Sequence, residues 1–205
     1  MRVALIVPVK SFAIAKGRLA SSLSDVARAQ LAKECATRVI TAGGTWSTYV
    51  VCDDDDVARW ASDNNAIVVR CRESGIDAAV RAGRQQAIHD GIEHVVIAHG
   101  DLPLARHFDH VVVAGTITFV PDRHRDGTNV IAMPASSSFT TAYGPRSYVR
   151  HVERAQRLGL AYRTIDDDDL ALDLDTADDL AELQTRSDTS QDNSGQDDAA
   201  KGSIA

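Results

Sequence analysis

At 205 residues and 22.0 kDa, with 44% hydrophobic and 25% charged residues, the chain is composed like one soluble globular domain with a sizeable core. A balance of 22 Lys+Arg against 29 Asp+Glu gives a net charge of −7, which argues against a protein that wraps nucleic acid or binds membranes through a basic surface. The acidity is almost all aspartate, 24 Asp against 5 Glu, a residue that favours loops, caps and metal sites over helix interiors.

In chain order, the apolar run Val3–Val7 has the length of a buried strand and ends at Pro8. It is too short for a signal peptide or a membrane span, and no later segment is long enough to cross a membrane. Asp25–Ala42 follows with Leu31, Cys35 and Val39 at helical spacing, and Gly43-Gly44 as its stop. Strand Tyr49–Cys52, helix Val57–Asn64, strand Ala66–Val69, helix Ile76–Asp90 and strand Val95–Ala98 continue the alternation. That rhythm is the mark of an α/β fold, a Rossmann-like and mostly parallel sheet with helices on both faces.

After His99-Gly100-Asp101 the rhythm changes. Thr116–Val120 and Val130–Met133 read as strands around a polar loop, a ribbon inserted in the sheet. Tyr148–Leu158 reads as a helix, Ala161–Ile165 as a strand and Thr176–Leu183 as a closing helix. From Gln184 onward little is left to bury, so the expected organisation is a domain over 1–183 and a disordered tail over 184–205. The cysteines Cys35, Cys52 and Cys71 are odd in number and form no CxxC pair. They argue against a disulfide framework or a structural zinc, and the expected location is the reducing cytoplasm.

Four constellations carry chemistry. Lys10, Lys16 and Arg18 lie in the loop after the first strand, at the edge where open α/β sheets bind ligands and where cations hold phosphates. Neither GxGxxG nor GxxxxGK[ST] is present, which argues against a dinucleotide fingerprint and a P-loop. Asp101, in HGDLPL, falls at the same edge, where one or two carboxylates plus substrate phosphates suffice for Mg²⁺. Asp173 and Asp175, two apart in LDLDT, point to one side if extended, while Asp178 and Asp179 suit the first turn of a helix. The runs Asp53–Asp56 and Asp166–Asp169 read as solvated loops and helix starts, with Asp53 alone, the first residue past its strand, kept as a candidate. Finally, DGTN at 126–129 and YGPRS at 143–147 offer glycines and hydroxyls for close approach to an anion, and Ser147 also suits the N-cap of the following helix.

In this order, VPVKSFAIAKGRLA, HGDLPL, DGTNV, YGPRSYVRHVERA and LDLDTADDL resemble the CofC/FbiD guanylyltransferases of coenzyme F-420 (deazaflavin) biosynthesis, over residues 3–183. The resemblance implies a glycosyltransferase-A-type nucleotidyltransferase fold. It also implies transfer of GMP from GTP to phosphoenolpyruvate, 2-phospho-L-lactate or 3-phospho-D-glycerate, with release of pyrophosphate. Phosphoenolpyruvate is placed narrowly first. By motif, Lys16 and Arg18 face the nucleotide phosphates with Lys10 beside them, Asp101 and Asp175 hold Mg²⁺, and Thr128, Gly144 and Ser147 bind the acceptor. The family often has a GTGT-like loop where this chain reads DGTN, and Arg146 fills a variable position; both leave the acceptor open. The acceptor phosphate is already ionised, so no general base is required, and His151 is expected to be structural. Two alternatives stand beside this: a nucleotidyltransferase of molybdopterin or sugar-nucleotide type, and a non-catalytic nucleotide-binding protein. A homodimer would suit the fold.

Overall fold

Strands made of consecutive apolar residues must be covered on both faces, and the computed structural model, which describes residues 1–194, does so. β1 (Val3–Pro8), β2 (Ser47–Cys52), β3 (Ile67–Arg70) and β4 (His94–Ala98) run parallel to one another. β5 (Ile117–Pro121), β6 (Thr128–Pro134) and β7 (Tyr162–Thr164) complete one sheet of order β3-β2-β1-β4-β6-β5-β7. β6 runs against its neighbours β4 and β5, while β7 is parallel to β5. The expected ribbon is therefore present, and its reversed strand lies inside the sheet. Because β6 is reversed, its first residues lie at the same edge as the last residues of β4: Val130 pairs with Ala98, and the Asn129 carbonyl accepts from the His99 N–H at 3.0 Å.

Helices α1 (Asp25–Ala42) and α2 (Asp55–Asp63) cover one face, with Val39, Val57 and Trp60 packed on Leu5, Val7, Val50 and Val96. Helices α3 (Ile76–His89) and α4 (Ser147–Arg157) cover the other, with Val80, Ala87 and Ala155 among the residues on the side of Ile6, Val51, Val95 and Ile97. The alternation along each strand assigns its side chains to the two layers. Among the described residues no helix is long and apolar enough to cross a membrane.

One stretch follows the sequence reading as a helix start, and the closing helix departs from it. Within Asp166–Asp169 the chain forms a one-turn helix, α5 (Asp168–Ala171), capped by Asp167, whose carboxylate accepts from the Leu170 N–H at 2.9 Å. The closing helix α6 (Ala177–Ser194) runs well beyond the expected Leu183, so the boundary expected at 183/184 falls inside it. Arg186 pairs with Glu182 one turn back at 2.7 Å and ties the helix to α5 by donating to the Asp168 carbonyl at 2.9 Å. The rest of the expected tail, 195–205, lies outside the described residues.

Gly83 marks the closest approach of α3 to the sheet. A Cβ there would lie 2.6 Å from Ile6 Cγ2 and 2.9 Å from Val51 Cγ2, methyls on β-branched side chains with little freedom to turn away. Gly83→Ala gains about 1 kcal/mol of helix propensity against about 1–3 kcal/mol for overpacking. Urea unfolding should show a net loss of about 1 kcal/mol; an unchanged or raised midpoint would mean that α3 can shift away from the sheet.

Candidate active site

The loop after β1 makes two 3-10 turns, Phe12–Ile14 and Gly17–Leu19, and buries Leu19 as its anchor. Between them Lys16 adopts the left-handed backbone conformation, φ 59° and ψ 36°, uncommon for a residue with a side chain. Its side chain is 5% exposed, and Nζ lies 2.9 Å from Asp101 Oδ2 and 3.4 Å from Asp175 Oδ1. Arg18 stays exposed, with Nη1 3.7 Å from Asp175 Oδ2. Lys10 is exposed on the wall of the adjoining cleft.

The carboxylates are brought there by backbone. Asp101 lies just past β4, after His99 and Gly100, and its carbonyl accepts from the Leu174 N–H at 3.0 Å, which pins the LDLD segment beside it. Asp179, in the first turn of α6, accepts from the N–H groups of Asp175 at 3.0 Å and Thr176 at 2.7 Å, while Thr176 Oγ1 accepts from the Asp179 N–H at 3.3 Å. This is a reciprocal capping box, and Arg123 holds the free oxygen of Asp179. Asn129, buried at the start of β6, donates to the carbonyls of Leu170 at 3.0 Å and Ala171 at 3.1 Å and reaches Asp173 Oδ1 at 3.5 Å. In sequence, Asp179 reads as a helix-dipole residue and Asn129 has no separate role. Thr176-x-x-Asp179 was the visible signal for the first; the second depends on contacts more than forty residues away.

Charge is concentrated here. Burial alone would lower the pKa of Lys16, but Asp101 and Asp175 outweigh it and hold the ammonium protonated. For Asp101, burial favours the neutral form, yet Lys16 and, less strongly, His99 keep its pKa below the usual carboxylate range. For Asp173, burial and the neighbouring Asp101 charge outweigh the opposing pull of His99 and raise its pKa to about 6. Among the described residues, Asp101 Oδ1 is buried without a hydrogen-bond partner.

These groups stand at one side of a cleft of about 810 Å³ that crosses the carboxyl ends of the parallel strands, a size suited to a nucleotide. Lys10, Lys16, Asp101 and Asp175 line it, and so do His99, Asp53 and, from the β3–α3 loop, Cys71, Glu73, Ser74 and Gly75. Thr128, Gly144 and Ser147 are not among its lining residues. Thr128 and Ser147 are buried, and Gly144 is exposed at φ 110°. The N-cap of α4 is Arg146, at φ 56°, with Ser147 as its first helical residue, which corrects the expected cap. DGTN and YGPRS nevertheless meet, since Asp126 accepts from the N–H groups of Arg146 at 3.3 Å and Tyr148 at 3.1 Å. His151 joins them from α4: its Nε2 accepts from the Ala142 N–H at 2.8 Å, so Nδ1 carries the proton and donates to Thr128 Oγ1 at 3.0 Å.

A parallel sheet with one reversed strand and a carboxylate pair at its edge defines a nucleotidyltransferase-type α/β fold. A solved cytidylyltransferase from Leptospira borgpetersenii shares it, with a TM-score of 0.58 at 18% identity, covering 89% of this chain and 85% of the other. The model of the guanylyl transferase CofC-like family matches residues 2–193, and the chain belongs to that family. Among curated relatives, the phosphoenolpyruvate guanylyltransferase of Sphaerobacter thermophilus is 33% identical over 187 residues, covering 87% of this chain and 90% of its own. The 3-phospho-D-glycerate guanylyltransferase of Phenylobacterium zucineum is 32% identical over 183 residues, covering 82% and 84%.

His151 supplies a test of the buried network. It is fully buried, and burial lowers its pKa from 6.5 to about 4. In the unfolded chain the ring takes up a proton near pH 6.5, whereas the folded ring stays neutral until about pH 4, so its contribution is complete above pH 6.5 and is lost as pH falls through that window. Between pH 7 and pH 4 the wild type should lose about 3 kcal/mol more stability than His151→Gln. Chemical denaturation at the two pH values measures it, and equal losses would show that the ring is not held neutral.

Proposed function

We propose that this chain transfers the guanylyl group of GTP to the phosphate of a small phosphorylated three-carbon acid, with phosphoenolpyruvate ahead of 2-phospho-L-lactate and 3-phospho-D-glycerate, as a step in coenzyme F-420 biosynthesis. The observation that carries the reading is the junction of Lys16, Asp101 and Asp175 at the end of a nucleotide-sized cleft, in a chain of the guanylyl transferase CofC-like family. The names of the relatives support the acceptor class, and phosphoenolpyruvate is the acceptor named for most of them.

An acceptor phosphate oxygen forms a bond to the α-phosphorus as the bond to the bridging oxygen of pyrophosphate breaks. No proton has to be removed from the nucleophile, so the chain needs no general base. Its task is to gather anions against their repulsion. Lys16 and Arg18 face the phosphates, with Lys10 further along the loop. Thr128, Gly144 and Ser147 serve the acceptor: Thr128 already receives a hydrogen bond from His151, which leaves its own O–H to donate, and the exposed Gly144–Arg146 turn is the part of the motif that a ligand meets first.

The residues present fit Mg²⁺. Asp101 Oδ1 is a buried oxygen lacking a partner, and Asp101 and Asp175 already share one cation through Lys16. Among the described residues no group of three or more His, Cys, Asp or Glu is arranged to hold a metal unaided, which suits an ion completed by phosphate oxygens. Bound at Asp101 and Asp175, Mg²⁺ would supply charge neutralisation for the reacting and leaving phosphates.

The test is pyrophosphate release by purified protein with Mg²⁺, each ribonucleoside triphosphate in turn and each of the three acids. Turnover with CTP or ATP but not GTP would sink the proposal. Asp101→Asn should lower kcat by at least about 100-fold with an unchanged far-ultraviolet circular dichroism spectrum. Retained turnover would remove Asp101 from the site.

A further inference from the structure

The carboxylates of the cleft separate by what they touch. Asp101 and Asp175 share the Lys16 ammonium. Toward the other end lie Asp53, Asp54 and Glu73. Asp54 is committed to the start of α2, where it accepts from the N–H groups of Asp56 at 2.9 Å and Val57 at 3.0 Å. Glu73 accepts from Arg81 at 2.6 Å. Asp53 is exposed on the cleft and, among the described residues, has no hydrogen-bond or ion-pair partner.

Its place on the sheet edge fits one part of a nucleotide. Asp53 follows β2 directly, Asp101 follows β4, and β1 lies between those strands. Two strand spacings, about 10 Å, therefore separate the two backbone positions along the edge. With the triphosphate at Lys16, Asp101 and Asp175, that distance carries a nucleotide past its ribose to its base. Extending the register beyond Pro8 with Val51 and beyond Cys52 with Arg70 sets Asp53 between Lys10 and Cys71, and Lys10 makes no ion pair with it.

We propose that Asp53 reads the base of the bound nucleotide, its two carboxylate oxygens accepting the N1–H and the 2-amino N–H of guanine. Guanine alone among the four ribonucleotide bases presents two adjacent N–H donors on one edge, a match for a carboxylate. Adenine and cytosine would turn a ring-nitrogen lone pair toward the same oxygens, and uracil offers a single N–H between two carbonyls. An unneutralised carboxylate thus selects guanine by attraction and rejects the others by repulsion. The inference rests on the guanylyl-transfer reading and names the group that makes it guanine-specific.

Inosine triphosphate separates the possibilities because it keeps N1–H and lacks the 2-amino group. For Asp53→Asn in the full chain, kcat/KM with GTP should fall roughly 10- to 100-fold, the loss with inosine triphosphate should be smaller, and the preference for GTP over inosine triphosphate should shrink toward one. Glu73→Gln, run in parallel, should keep the wild-type preference. An unchanged preference in Asp53→Asn overturns the proposal. So does a collapse of preference in Glu73→Gln instead, or an equal loss for GTP, inosine triphosphate and ATP, which would assign Asp53 to the ribose. A wild type that ignores GTP sinks the reaction assignment itself, whereas a GTP-active wild type with an unaltered Asp53→Asn sinks only the base-reading role.

Discussion

Two aspartates from distant parts of the chain sit on either side of one buried ammonium, and much of the surrounding structure serves to keep them there. Asp101 and Asp175 repel each other, and Asp173 adds a third carboxyl to the same corner. Lys16 resolves the conflict at its centre, 2.9 Å from one and 3.4 Å from the other. An arrangement of this kind is a poor source of stability, because desolvating the charges offsets most of their attraction. Lys16 also holds a left-handed backbone, a conformation that costs on the order of 1 kcal/mol in a non-glycine residue.

The scaffold meets that demand with rigid pieces. Four parallel strands deliver the β1 loop and Asp101 to one edge, and the reversal of β6 delivers Asn129 to the same edge from the opposite direction. Asn129 then clamps the backbone at Leu170 and Ala171, and Asp179 clamps Asp175 and Thr176. The main chain of Asp175 is thus fixed by Asp179, and that of Asp101 by its bond to the Leu174 N–H. That support is what a site depending on exact placement of charge requires.

How far the site could be read from the chain depends on how local each signal is. The strand–helix alternation, the ribbon and the edge positions of the β1 loop and Asp101 follow from hydrophobic period and from where strands must end, and the structure agrees, whereas the grouping of Lys16 with Asp175 was legible only through the family resemblance. Asn129, His151 and Arg123 act through partners between nine and fifty-six positions away, and nothing in their immediate neighbours announces those partners. Ser147 illustrates the opposite failure. Its residue type favours an N-cap, but the tertiary pull of Asp126 on the Arg146 N–H advances the helix start by one residue. The length of α6 was hidden for a third reason: its polar composition resembles a solvated segment, and a bond from Arg186 to the Asp168 carbonyl lies outside any periodic pattern.

The separation of Lys16 from Asp175, 159 positions apart, also governs when the site comes into being. During synthesis the first four strands and their helices can assemble long before Asp175 leaves the ribosome. The growing chain at that stage has a sheet edge, a basic loop and one carboxylate, but lacks the second wall against which Lys16 is held. The completed charge cluster is thereby tied to completion of the chain, and an unfinished chain holds only part of it.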